Sequence, residues 1–563
     1  MKSKKTLPPS RLRWWHVTLG GLGALVAALL VYGPALDGPF VFDDQYLPFF
    51  SPHYADVTLL LAIKGVRPLL YFTFWLNNRL AGTEPFTYHL FNVLIHVLNS
   101  LLIFFITRKI LTWVGLEGSW REWLSALAGA LFLLHPVQTE AVSYVASRSE
   151  NLSALFFYAA FAVFLYRKNA AAGWLTTAQV LVLYAAAVST KEHTVTLPAL
   201  LLLTDYFWNP GFSLQGIRRN WRLYAPLAAA ALTGVAMALS LTHGAVTAGF
   251  SIPGLPWQDY FFTQWRALWV YFRLLVFPAG LNVDYAYPIS RSILNHGAIV
   301  GLIGLLLPVA CAVYFRKRYP LAAYGFLTAL ILFAPTSSVV PIQDAVAERR
   351  LYLPMLGLLL VVLEFVRRSP ARRAVVAGTA GVVLAVLALL SYQRNQVWAS
   401  DVALWEDSAA KSPHNSRAHF QLAVALYQQG RCDAAEPHFE AASKLGAPDA
   451  RLLVDWALTE DCLNKPDRAL EKLRLASASH PTSYAYALMG MIYGKQKNYE
   501  RSLAFLDTAL RLNPREDMAY FYRGNVFAAT GDSVKAAEDY RRAVEINPDN
   551  ELARRGLARL RRR

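Results

Sequence analysis

Apolar residues dominate the first two thirds of the chain in long runs broken by short polar islands. Trp14 to Leu36 is almost unbroken, long enough to cross a bilayer as one helix of about 20 residues. Comparable runs follow at 85–107, 123–134, 151–166 and 174–189, then one ending at Asn209. Five more lie at 221–242, 296–315, 320–334, 351–366 and 374–392, which makes eleven predicted crossings. Residues 259–277 are also apolar, but Arg316 to Arg318 mark the end of the next helix as cytoplasmic. With Arg266, Arg273 and the row Phe262, Trp265, Trp269 and Phe272, that stretch reads as an interfacial or re-entrant helix on the outer side.

Beyond residue 392 the pattern changes to a repeat. Ala435, Ala469, Ser502 and Ala536 recur at a period of 33 or 34 residues, and so do Ala442, Ala476, Ala509 and Ala543. Ala423, Ala457, Gly490 and Gly524 supply the small residues of a tight helix crossing, and Pro481, Pro514 and Pro548 end their units. This is the tetratricopeptide period, which predicts an α-solenoid with a concave binding surface. The expected domains are therefore a membrane domain over 1–392 and a repeat domain over 393–563. Trp398 to Pro413 reads as an incoming half-repeat.

Composition agrees. Of 563 residues, 55% are hydrophobic and 17% charged, as expected of an integral membrane protein with a soluble part. The net charge of +17 comes from Lys and Arg clusters such as Lys2 to Lys5, Arg108-Lys109, Arg167-Lys168 and Arg367 to Arg373. Each flanks an apolar run, so the basicity follows the positive-inside rule and argues against a nucleic-acid partner. The three cysteines lack metal-ligand spacing; Cys432 and Cys462 can pair only in an oxidising compartment.

The polar islands carry the candidate chemistry. Asp43 and Asp44 sit at the mouth of the first helix among aromatics, where adjacent carboxylates are costly to keep. His89, Asn92, His96 and Asn99 share one helix face and read as interhelical hydrogen-bonding groups. Over 137–148, Glu140, Tyr144, Ser147 and Arg148 fall on one side of a predicted amphipathic helix. Lys191-Glu192-His193 occupy a hairpin tip that needs polarity but not three ionisable groups. Glu348-Arg349-Arg350 open another apolar run.

Together Phe42-Asp43-Asp44, Arg67-Pro68, Tyr88-His89-Leu90-Phe91-Asn92, His135-Pro136 through Glu140, Arg148-Ser149-Glu150, Lys191-Glu192 and Glu348 to Pro354 resemble the transmembrane, TPR-containing protein O-mannosyltransferases, a branch of the GT-C glycosyltransferases. The resemblance implies an all-α GT-C fold followed by a TPR solenoid. It implies transfer of a sugar, mannose by family, from a polyprenyl-phosphate donor to a hydroxyl, with a protein Ser or Thr the expected acceptor. The repeats would dock the acceptor protein on the extracytoplasmic side. In this scheme Asp43 or Asp44 is the base, and its partner acid orients it or holds a divalent ion with Glu140; Glu150 is a weaker candidate. Arg148, Lys191, His193, Arg349 and Arg350 are the cations available to the leaving lipid phosphate. Partners are then the lipid-linked sugar, the acceptor protein and membrane lipid. A bacterial inner membrane is expected over an endoplasmic reticulum membrane. The rival readings are a TPR-bearing oligosaccharide ligase and a non-catalytic membrane scaffold.

Overall fold

The computed structural model describes residues 14–50, 54, 57–242 and 248–560; the basic segment Met1–Arg13 lies outside the described residues. Among the described residues the fold is all-α, with no strand and a single antiparallel bridge between Ala248 and Ile342. It divides into two compact units, Met1–Asp407 and Ser408–Arg563.

The first unit is built from α1 (Trp14–Leu36), α2 (Pro68–Ala81), α3 (Pro85–Trp113), α4 (Gly118–Leu134), α5 (Arg148–Leu165), α6 (Trp174–Val188) and α7 (Leu197–Trp208). It continues with α8 (Trp221–Thr242), α9 (Trp257–Val276), α10 (Ala298–Tyr314), α11 (Pro320–Phe333), α12 (Met355–Arg368) and α13 (Arg373–Val397). Pro68, Pro85 and Pro320 stand in the first turns of their helices, where a missing N–H costs nothing. Among the described residues four helices are long and apolar enough to cross a membrane: Trp14–Leu36, Pro85–Trp113, Asn295–Tyr314 and Arg373–Val397. Helices α6 and α11 are apolar but shorter. α3 lies at the centre and packs on α1, α4 and α5. α11 and α12 meet backbone to backbone, because a Cβ on Gly325 would strike the Gly357 carbonyl.

The polar face of α3 bonds across helices as its spacing predicts. Asn92 Nδ2 donates to the Val142 carbonyl at 3.1 Å, and Asn99 Nδ2 donates to the Asn151 carbonyl and side-chain oxygen, both at 2.9 Å. His96 Nδ1 and the Tyr352 hydroxyl lie 2.8 Å apart.

The segment Trp398 to Pro413 forms a helix that leads into the repeats, as expected of an incoming half-repeat, and it also buries two indoles. Trp398 and Trp405 are buried in the first unit, Trp398 stacked on Tyr144 and Trp405 edge-on to Phe42. Its helix α14 (Asp401–Lys411) carries the unit boundary. Indoles this large gain from burial in an aromatic pocket.

In the second unit antiparallel helix pairs run from Ser416–Gln428 to Ser533–Ile546 and end in Glu551–Leu560. Asn415, Asp449, Thr482, Asn498 and Asp532 cap their helices through side-chain oxygens. Gly490 is small for the predicted reason: a Cβ there would lie 2.5 Å from Leu506 Cγ. Cys432 and Cys462 are joined in a disulfide, with Cα atoms 6.3 Å apart.

Candidate functional site

The acid doublet sits in a 3-10 turn, Phe42–Tyr46, just beyond α1. Phe42 opens it at φ 53°, a conformation costly for an aromatic residue. Its ring lies 6.1 Å from Tyr144 and 5.4 Å from Trp405. The turn separates the two carboxylates. Asp44 is fully buried and acts as a clamp: Oδ2 accepts the Val41 N–H at 3.1 Å and Oδ1 accepts the Ala146 N–H at 2.6 Å. Burial pushes Asp44 up to about 8, opposed by the backbone donors of Val41, Ala146 and Val145, which favour the carboxylate. Asp43 points to the exposed side. Its backbone N–H donates to the Tyr144 hydroxyl at 3.0 Å, and its carboxylate has no hydrogen-bond partner among the described residues.

Residues 137–148 do not form the amphipathic helix that their period predicts. The chain runs as a 3-10 turn Pro136–Gln138, a short helix Thr139–Ser143 and a second 3-10 turn Val145–Ser147, with Tyr144 extended between them. Side chains capture the groups that a helix would need. Asp44 takes the Ala146 N–H, and Asn92 takes the Val142 carbonyl. Both faces of the segment are buried.

This arrangement changes the expected roles of Glu140 and Arg148. Glu140 is fully buried and spends both oxygens on Arg349: Oε2 accepts the Arg349 N–H at 2.9 Å, and Oε1 pairs with its guanidinium. Glu140 therefore positions Arg349 and is not an open base. Arg148 is buried and pinned. Nε donates to Asn92 Oδ1 at 2.8 Å, Nη1 to Asn77 Oδ1 at 2.6 Å and Nη2 to the Tyr88 carbonyl at 3.0 Å. Its guanidinium also lies over the rings of Phe74 and Phe91. It braces α2, α3 and α5 and offers no free fork to a phosphate. Arg350 is likewise held by the Tyr260 hydroxyl and by the Ala345 and Asp344 carbonyls.

Lys191 and Arg349 remain as cations, both paired with carboxylates: Arg349 bonds Glu140 and also reaches Asp344 Oδ2 at 3.4 Å. Lys191 Nζ donates to Glu150 Oε1 at 2.5 Å and to Ser149 Oγ at 3.3 Å. Burial lowers the Lys191 pKa and Glu150 opposes the shift. His193 Nε2 lies 3.5 Å from Glu150 Oε2. Burial brings His193 down to about 4, so it is a neutral imidazole near pH 7 and not the expected cation. Arg67 closes the rim with a bidentate pair to Glu192, both bonds 2.9 Å. Arg349 acts on the charges of Tyr144, Glu150 and Lys191, and Tyr144 also feels Asp43 and Asp44. The doublet, the Glu140–Arg349 pair and the hairpin tip thus form one cluster at one end of the first unit.

Glu348 belongs to this cluster and was absent from the expected site. It is fully buried; Oε1 accepts the Tyr285 hydroxyl at 2.7 Å and the Asn282 N–H, while Oε2 is buried without a partner. Burial raises it to about 7, with Arg394 opposing and Glu140 reinforcing the shift. The signal was available: Glu348 is an acid at the head of an apolar run, as the doublet is. The donor set expected for a divalent ion does not converge. Asp44 and Glu140 are occupied by N–H donors and Arg349, and no group of three or more His, Cys, Asp or Glu gathers among the described residues.

The tetratricopeptide repeat family matches residues 398–450 and 487–551. The Caenorhabditis elegans protein O-mannosyl-transferase F38B6.6 is 25% identical, across 74% of this chain and 61% of that protein. Mouse (Mus musculus) protein O-mannosyl-transferase TMTC3 is 25% identical across 86% of this chain and 58% of its own length. Human (Homo sapiens) TMTC1 is 25% identical across 78% and 56%. The chain spans about three-fifths of the length of these curated relatives. Over most of its own length, from the membrane unit into the repeats, it is similar to the protein O-mannosyl-transferases that its motifs resemble.

Proposed function

We propose that the chain is a membrane glycosyltransferase with a GT-C fold and eleven crossings. It would move a sugar, mannose by its relatives' names, from a polyprenyl phosphate to a protein Ser or Thr hydroxyl. One observation carries the reading: an exposed carboxylate, Asp43, stands in the same cluster as Lys191 and Arg349. The acceptor hydroxyl attacks the anomeric carbon as the bond from that carbon to the phosphate oxygen breaks. Asp43 takes the hydroxyl proton. Charge grows on the departing phosphate, where Lys191 offers a point charge and Arg349 a positive charge that Glu140 and Asp344 hold in place. Asp44, tied to the Val41 and Ala146 N–H groups, holds the turn that carries Asp43.

The repeats would bind the acceptor polypeptide and raise its effective concentration. The Cys432–Cys462 bridge fits an extracytoplasmic repeat unit, since disulfides persist in oxidising compartments. A bacterial inner membrane is the proposed location. The test is incubation of the purified protein with labelled polyprenyl-phosphate sugars and acceptor peptides bearing Ser or Thr. Label should pass to the peptide hydroxyl from one sugar. If no sugar is transferred from any polyprenyl phosphate while the protein still binds envelope proteins, the scaffold reading replaces this one.

A further inference from the structure

At the other end of α1 from the doublet lies a groove that the proposed reaction does not use. It is a cavity of about 660 Å³ between α1, α3 and α4, walled by Gly20, Gly23, Ala27, Phe104, Trp123 and Leu133. The small residues of α1 leave it open: a Cβ on Gly20 or Gly23 meets nothing within 4 Å. The groove follows α1 from His16 to Ala27. That is about 16 Å at ~1.5 Å per residue, close to one leaflet's share of a hydrocarbon core roughly 30 Å thick.

Its two ends differ in chemistry. Leu133 and Leu134 make the inner end apolar. The outer end is reached at His16 and Glu122. Glu122 is held by two guanidiniums, Arg108 at 2.8 Å and Arg121 at 2.6 Å, which leaves the trio net positive. Arg373 lies 5.2 Å over the Trp120 ring, and that ring stacks on Trp123 of the groove wall with centroids 4.7 Å apart. Indoles and cations therefore mark a headgroup level, and the slot behind them has the depth of one acyl chain.

We propose that this groove binds one chain of an anionic glycerophospholipid from the leaflet at the basic end of α1, with its phosphate among Arg108, Arg121 and Arg373. A neighbouring transmembrane helix could use the small residues but would leave Arg373 and the net positive charge of the Arg108–Glu122–Arg121 trio unanswered. The site is independent of the transfer reaction, since it lies at the opposite end of α1 from Asp43.

The test is native mass spectrometry of the full chain in mild detergent, incubated with phosphatidylglycerol or with phosphatidylcholine of the same chains. One phosphatidylglycerol should be retained, at least tenfold over phosphatidylcholine. The Gly20→Leu/Gly23→Leu variant fills the slot and should lose it. Gly33→Leu adds the same side chain on α1 where a Cβ also meets nothing, away from the groove, and should keep it. Arg373→Gln lies outside the slot and should narrow the preference even if the filled variant does not fold. Equal retention of both lipids would overturn the proposal. So would retention unchanged in the filled variant, or a dimer that the filled variant abolishes.

Discussion

In the membrane unit Glu150, Glu140 and Asp205 are 6%, 1% and 0% exposed beneath Lys191, Arg349 and Arg167. In the repeat unit Lys444–Glu440 and Arg555–Glu551 leave every partner more than half exposed. The same residue types therefore meet in two dielectric settings. Exposed pairs are screened and contribute little. Buried pairs carry a desolvation cost that only good geometry offsets, so each needs a reason. Burial alone does not supply that reason. Asp205 is bonded on both oxygens to Arg167, Asn209, Asn220 and Tyr224, and it joins helix ends. The cluster at the doublet instead keeps an exposed acid, Asp43, and two buried orphan atoms, His193 Nδ1 and Glu348 Oε2. An exposed acid beside buried charge distinguishes the candidate site.

Removing one partner of a buried pair is the strongest way to break this contrast. Arg349→Met strands Glu140, and the membrane unit should lose about 3–5 kcal/mol of stability along with turnover. A melting profile beside a transfer assay reads both effects. In the repeat unit the largest loss comes from the covalent bridge. Cys432→Ser closes no loop over a separation of 30 residues and should cost the repeats about 2–4 kcal/mol, measured by denaturant unfolding under non-reducing conditions.

The next effect is one of pH. Glu348 has a folded pKa of about 7, above the ordinary value for a Glu, so the folded state holds its proton more tightly than the unfolded one. That contribution is full below the unfolded value of about 4.3 and is lost as pH rises through about 7. Glu348→Gln should flatten the decline in stability over that window. An unchanged slope would remove Glu348 from the account. At the small end, Lys444→Ala should leave the melting temperature of the repeats unchanged, because its partner is solvated.

Much of this organisation was legible in the sequence, for physical reasons. The 33- and 34-residue periods exposed the repeats, because each unit must bury the same small residues at the same crossing, as at Gly490. Asp43-Asp44 and Lys191-Glu192-His193 stood out because charge beside an apolar run is costly. Their gathering in one cluster rests on contacts more than a hundred residues apart, such as Ala146 N–H to Asp44. Such contacts leave no trace in local period. The same blindness produced the amphipathic helix over 137–148, where Asp44 and Asn92 divert the backbone. It also made Arg148 and Arg350 look available. A sequence shows that an arginine is present, not that its donors are already taken.

The two adjacent acids offer the most direct test. Turnover, donor binding and melting should be measured side by side for Asp43→Asn and Asp44→Asn with a polyprenyl-phosphate sugar and a Ser/Thr peptide. Asp43→Asn should lose at least about 100-fold in turnover, the scale of a missing general base, with donor binding and melting unchanged. Asp44→Asn should instead lower the melting temperature, because an amide NH₂ would face the Val41 or Ala146 N–H. Asp43→Asn turning over at the wild-type rate would contradict the account.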